Sequence, residues 1–362
     1  MYRPLRPPRK IRRTLGWVIE WSFYTRKHYW RVGRGICPHS NIRHSRFTSR
    51  LVDFVGRDSI FAVARIVFLF VAIPGFASEP ADVTSLSFET PYNHINIERI
   101  GSIVEMRSFW RSKLYRESAV DLNDPTRLVV PYTSAIAASA IFHPNPKRVL
   151  MIGLGGGGFN QFFEKALPGA TLETVELDPQ VLALAQKYLG FKPSDRDKVD
   201  VLDGRMFLRH SKTVYDWIIL DAFRGGFVPP HLKTVEFYKL AQSHLAANGL
   251  FVANVHTNSS LFASDIRTMR QVFPQLGMFE VTQTDNAVLV AANFKSPTFQ
   301  EMANEAAHLS FNETFRRNVD LTTVGKSFHS TVTEPNKKAP VLTDDFAPTE
   351  FLDAVKTSRP GR

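Results

Sequence analysis

Cysteine is almost absent from this chain of 362 residues, with Cys37 the single example. A disulfide framework, a cysteine zinc site and a catalytic thiol are therefore excluded downstream of it. No methionine lies between Met1 and Met106, and the first 60 residues carry three acids, Glu20, Asp53 and Asp58, against 14 Lys and Arg. The whole chain has a net charge of +11, so the opening stretch accounts for all of it and the remainder is electroneutral. A surplus confined to a leader removes the support for a nucleic-acid-binding surface, and no nucleic-acid partner is expected. Internal repeats and low-complexity tracts are also absent.

The apolar run Ile66–Ile73 is shorter than the roughly 20 residues a bilayer span needs. Arg65 precedes it and Pro74-Gly75-Phe76-Ala77 ends it, which is the pattern of a secretory signal. Extended back to Ile60 it becomes a candidate membrane anchor interrupted by Arg65, and a core helix is a third reading. The expectation is a basic, disordered leader over 1–58 and a signal or anchor over 59–77. Export or membrane attachment follows through 60–77, and a cytoplasmic protein if that segment is not used. A signal so far from Met1 predicts a start at a non-AUG codon near Val52 or Val55, with the residues before it a gene-model artefact. Amino-terminal sequencing that finds Tyr2–Arg50 in the product refutes this.

From residue 78 the chain divides into a small β-rich domain (78–143), a nucleotide-binding domain (144–294) and a carboxyl-terminal helix and tail (295–362). Short strands are expected at His94–Glu98, Ser102–Met106 and Arg127–Val130, then a helix from Tyr132 to Phe142. From Lys147 the rhythm becomes buried strand, helix, buried strand. Strands are expected at Arg148–Ile152, Thr171–Val175, Val199–Leu202, Asp216–Leu220 and Gly249–Val255, with helices at Phe159–Leu167 and Pro179–Leu189. Met278–Thr282 and Ala287–Ala291 flank Asp285-Asn286 as a hairpin, so one of them runs antiparallel. Residues 296–340 read as a polar helix and linker. The fold class is α/β, a doubly wound Rossmann-like sheet of methyltransferase type with a terminal antiparallel hairpin and a small N-terminal β-domain.

Gly153-Leu-Gly155-Gly-Gly157-Gly158 follows a strand and opens a helix, the setting in which backbone N–H groups can approach a ligand. Glu176 ends the second strand, where a carboxylate can accept from both ribose hydroxyls. Asp203 ends the third strand and can receive an adenine amino group or cap the following helix, and Gly204 lets a base lie close. Three such contacts at three consecutive strand ends point to an adenosine site. Asp221 ends the fourth strand and is the candidate to orient an acceptor. His231 is a second candidate acid–base group that could instead stabilise the next helix, and His256 could merely finish the fifth strand. Asp344-Asp345 has no third ligand nearby, so no metal is expected.

From about Phe88 to Asn293 the chain resembles spermidine synthase and its relatives, the polyamine aminopropyltransferases. The matching pieces are Glu89–Ile95, Pro144–Leu150, Val175-Glu-Leu-Asp178-Pro179, Asp203–Leu208 and Asp216–Asp221. The resemblance implies that Glu176 binds ribose, Asp203 adenine and the glycine loop the methionine-derived end of the donor, with Asn93 and Asp178 among the donor contacts. It also implies a homodimer and an amine acceptor. Orthodox members follow the fourth strand with Asp-Ser-x-Asp-Pro, whose second acid helps deprotonate the amine; here Arg224 holds that position. Thr133 and Ser134 follow Tyr132 in place of His/Gln-Glu, Asn93 replaces a longer Gln, and Gly156 replaces an Asp. Asp221–Gly225, Pro230–Thr234 and Leu342–Glu350 are similar to a subgroup often fused to membrane segments.

The expected activity is aminopropyl transfer from decarboxylated S-adenosylmethionine, or a transfer from S-adenosylmethionine, to an amine. Methyl transfer, a non-catalytic adenosyl-nucleotide-binding protein and, more remotely, a dehydrogenase are the alternatives.

Overall fold

The computed structural model describes residues 84–348 apart from 111, 112, 283 and 335. The leader 1–58, Cys37 and the segment 59–77 lie outside the described residues. Among the described residues no helix is long and apolar enough to cross a membrane.

Four strands form an antiparallel meander in chain order: β1 (Thr84–Glu89), β2 (His94–Ile100), β3 (Ile103–Trp110) and β4 (Lys113–Asp121). Its buried face is built from Ile95, Ile97, Val104, Met106 and Val120, packed against Val181, Leu184 and Leu189. That contact brings the meander alongside the helix that follows the second strand of the large sheet. The strand expected at Arg127–Val130 is not formed. Pro131 lacks an N–H and has its φ preset, so Val130 is extended and helix α1 (Pro131–Ala138) starts at the proline. A 3₁₀ turn, Ser139–Phe142, continues it. Ile136, Ala137 and Phe142 join the main core, so α1 belongs by burial to the large sheet and not to the small domain in which 78–143 placed it.

Eight strands form the large sheet. They are β5 (Arg148–Ile152), β6 (Thr171–Glu176), β7 (Asp197–Val201), β8 (Tyr215–Leu220), β9 (Leu245–His256), β10 (Gln275–Glu280), β11 (Asn286–Ala292) and β12 (Phe328–His329). Their order is β12-β10-β11-β9-β8-β5-β6-β7, parallel from β9 to β7 and antiparallel where β11 meets β9 and β10. Both faces are covered. Along β8, Trp217 and Ile219 enter one core while Ile218 and Leu220 enter the other, which is why the strand reads as a continuous apolar run.

Residues 296–340 differ from the polar helix and linker expected. They form short helices at Phe299–Asn304, Glu313–Asn318 and Leu321–Ser327, then β12. Phe299 and Phe328 pack on Phe142, with ring centroids 4.5 and 4.6 Å away, so the segment covers the core. These helices bury Phe299 and Ala303, Phe315, and Val324 respectively and are otherwise mostly polar, so the stretch reads as polar in sequence.

Candidate active site

The crevice opens at the carboxyl ends of β5, β6 and β8, on either side of the strand-order reversal, where a doubly wound sheet binds ligands. After β5 the chain turns through Gly153, Leu154 and Gly155 into helix α2 (Gly158–Ala166). Gly153 has φ +104°, and a Cβ there would lie 2.2 Å from the Asp221 carbonyl oxygen, so only glycine lets β5 and β8 close at this point. Gly153 and Gly155 line the crevice. Gly157 and Gly158, expected among the donor contacts, do not. They face Phe191 and the β4 residues Ala119 and Val120, so their smallness serves close approach between elements.

Glu176 lines the crevice at the end of β6. Its carboxylate accepts from the Leu154 N–H at 3.0 Å and the Asp178 N–H at 2.9 Å, which ties it to the glycine loop. Burial raises its pKa, and those N–H groups oppose the rise. Asp178 also lines the crevice, but one oxygen caps helix α3 (Pro179–Tyr188) by accepting from Gln180 N–H at 2.9 Å. The other oxygen is buried without a hydrogen-bond partner. Asn93 lines the opposite wall.

Asp203 takes the capping role and lines the crevice. It caps helix α4 (Gly204–His210) through Met206 N–H at 2.9 Å, and its second oxygen faces the crevice, 2.7 Å from His231 Nε2. Burial pushes its pKa up, but the bonds from His231 and Met206 outweigh this and hold it below the usual carboxylate range. His231, a candidate acid–base group, lines the crevice with its ring hydrogen-bonded to Asp203. Twenty-eight residues separate the two, and only the fold of the 3₁₀ turn Pro230–Leu232 onto α4 brings them together. His256 ends β9 and stacks on Phe223 at 4.8 Å.

Asp221 accepts from Asn254 Nδ2 at 2.9 Å and from the Tyr132 hydroxyl, and Asn254 in turn accepts from Asn286 Nδ2 at 2.9 Å. Burial pushes Asp221 up to about 6. The Tyr132 hydroxyl also lies 3.1 Å from the Glu117 carbonyl oxygen, so it stands between β4 and the end of β8. Arg224 lines the crevice at its exposed edge. Its Nε donates to the Tyr92 carbonyl at 3.0 Å and the residue is exposed.

One acid went unread in the sequence. Glu117 on β4 lines the crevice and accepts from Ser108 Oγ and the Gly225 N–H. Burial, with Glu176 and Asp221 nearby, pushes it up to about 8. The five acids lining the crevice, Glu117, Glu176, Asp178, Asp203 and Asp221, face one arginine. Among the described residues no cluster of His, Cys, Asp and Glu could hold a metal ion.

Residues 130–301 match the spermine/spermidine synthase domain. The polyamine aminopropyltransferase of Vibrio vulnificus is 31% identical over 252 residues, spanning 68% of this chain and 83% of the relative. A shorter match, 37% identical over 143 residues, spans 36% of this chain and 20% of the eEF1A lysine and N-terminal methyltransferase of Danio rerio. In fold, a probable spermidine synthase from Corynebacterium glutamicum superposes with a TM-score of 0.52 at 22% identity, covering 70% of this chain and 99% of that one. With the acid-lined crevice, the glycine loop and the acids after successive strands, these likenesses place the chain in the spermine/spermidine synthase family, as a transferase enzyme.

Proposed function

We propose that the protein transfers an aminopropyl group from decarboxylated S-adenosylmethionine to an amine. The observation that carries this reading is the excess of buried acid in the crevice, five carboxyl groups against Arg224, whose Nε is drawn off to the Tyr92 carbonyl. Both the donor, a sulfonium with a terminal ammonium, and an ammonium acceptor are cations, and a low-dielectric acidic cleft concentrates such charges. A donor that kept its carboxylate would bring a further acid into a crevice where Glu117 and Asp221 are already pushed up by burial. Glu176 and Asp203 are the groups for ribose and adenine, and the loop at Gly153–Gly155 is the group for the remainder of the donor. The sulfonium supplies the activation, so the protein's task is to hold a nucleophile in line with the carbon it attacks.

Methyl transfer from S-adenosylmethionine is the second reading. It is favoured by Gly156, Thr133 and Ser134, which replace polar contacts of the aminopropyltransferases, and by the likeness to a methyltransferase. Incubation of the full chain with each donor and 1,4-diaminobutane, followed by mass spectrometry, separates the two. Methylthioadenosine with an aminopropylated amine is the expected product. S-adenosylhomocysteine alone would replace the first reading by the second, and no turnover with either donor would remove both.

A further inference from the structure

Glu117, Tyr132 and Phe223 line both the nucleotide crevice and an adjoining cavity of about 490 Å³. The other walls of that cavity include Tyr115 and Arg116 of β4, Asn254 and His256 of β9, and Asp285 before β11. Two chambers that share a seam suit a reaction in which two substrates meet. The seam holds the Glu117 carboxyl, with the Tyr132 hydroxyl between the Glu117 carbonyl and Asp221. Related enzymes place a proton-accepting acid three residues after the acid that ends the fourth strand; Arg224 stands there and is bound to the Tyr92 carbonyl. Glu117 comes from a different element, β4, and lines the same crevice as Asp221.

We propose that Glu117 replaces the missing acid as the group that receives the acceptor amine's proton, with the adjoining cavity holding the acceptor, a primary alkyl amine with a second cationic end. This rests on the aminopropyl-transfer reading. The amine nitrogen's lone pair forms a bond to the propyl carbon beside sulfur. The carbon–sulfur bond breaks with its electron pair passing to sulfur, which becomes a neutral thioether. The proton released from nitrogen goes to the Glu117 carboxylate and from there to solvent. The charged or titratable groups around Glu117 are Asp221 and Glu176 on the nucleotide side, Tyr132 at the seam, and Arg116, His256 and Asp285 in the cavity. With its carboxyl pushed up to about 8, Glu117 exchanges protons close to neutral pH, as a general base requires.

The test compares wild type, Glu117→Gln and Ser108→Ala on the full chain, using 1,4-diaminobutane, 1,5-diaminopentane and spermidine as acceptors. Glu117→Gln keeps the shape and the bond from Gly225. It is expected to lower kcat/KM for the amine at least tenfold, to erase the inflection near pH 8, and to leave methylthioadenosine affinity within twofold. Ser108→Ala removes a donor to the carboxylate and moves the inflection to higher pH, a change that a merely structural Glu117 would not produce. Unchanged amine kcat/KM and pH profile in Glu117→Gln overturns this inference and leaves aminopropyl transfer standing. A wild type that accepts none of the three amines but methylates from S-adenosylmethionine overturns both.

Discussion

Arg205 and Asp344, 139 residues apart, meet in a two-pronged ion pair with contacts of 2.7 and 2.6 Å. Arg205 also donates to the His231 carbonyl at 3.1 Å, and Asp344 accepts from Thr234 Oγ1 at 2.8 Å. The tail thus fastens the turn that carries His231, the residue paired with Asp203.

Asp344→Ala leaves the buried Arg205 guanidinium without its carboxylate. Breaking a fully buried pair costs about 3–5 kcal/mol, and because Asp344 is half-exposed we expect about 2 kcal/mol here. Denaturant unfolding measures this. The same variant is expected to bind methylthioadenosine more weakly, since His231 and Asp203 lose a fixed neighbour; equal affinity would disconnect the tail from the site.

The pH dependence of stability has a definite sign. Glu117 is raised in the folded state from 4.5 to about 8, so between those values the native protein binds more protons than the unfolded chain and stability falls as pH rises. Asp221 adds to the fall from 3.8 to about 6. Melting temperatures of wild type and Glu117→Gln, followed from pH 5 to 9, are expected to lie closest at the acid end, where Glu117 is protonated, and to diverge as pH rises. The expected result is a flatter profile for the variant above pH 6.

Substitution in the glycine loop separates a rigid neighbour from a yielding one. Gly153→Ala sets a Cβ against the backbone of Asp221 at a φ of +104°, and a loss of at least about 3 kcal/mol is expected. Gly156→Asp restores the residue of the relatives, but its Cβ meets Leu189 Cδ2 at 2.4 Å and Ser118 Oγ at 2.9 Å. A cost of about 1–3 kcal/mol is expected, and Leu189→Ala in the same chain should recover part of it in thermal unfolding.

Asn254 is buried and fixes Asp221 from below while Asn286 fixes Asn254. Removing a hydrogen bond to a charged group is worth about 1.5–3 kcal/mol, so Asn254→Ala is expected to lower turnover by about 10- to 100-fold. Asp221 should then titrate above its present value of about 6, and the acid limb of the pH–rate profile should move up with it.

The nucleotide half of the site was legible because its chemistry is local. A buried parallel strand reads as an apolar run, and Asp221 follows one directly at the end of β8, while Glu176 ends the half-buried β6 and Asp203 follows the charged edge strand β7. Glu117 was not legible. Lys113–Asp121 has weak alternation, and β4 is fixed by pairing with β3 across a register shift at Met106/Arg107, which no short window reveals. The pairing of His231 with Asp203 was not legible, because the fold brings together residues 28 positions apart. Arg127–Val130 has strand composition, yet Pro131 imposed a helix start.

β12 has a consequence for solubility. Two residues, Phe328 and His329, bond across the outer side of β10, whose stretch Gln275–Glu280 is largely apolar. At the far side β7 carries Asp197, Lys198 and Asp200, a charged border that discourages strand addition. A chain truncated before Phe328 would lose the cap on the apolar side alone, and its β10 would then recruit strands from neighbouring molecules and assemble in one direction.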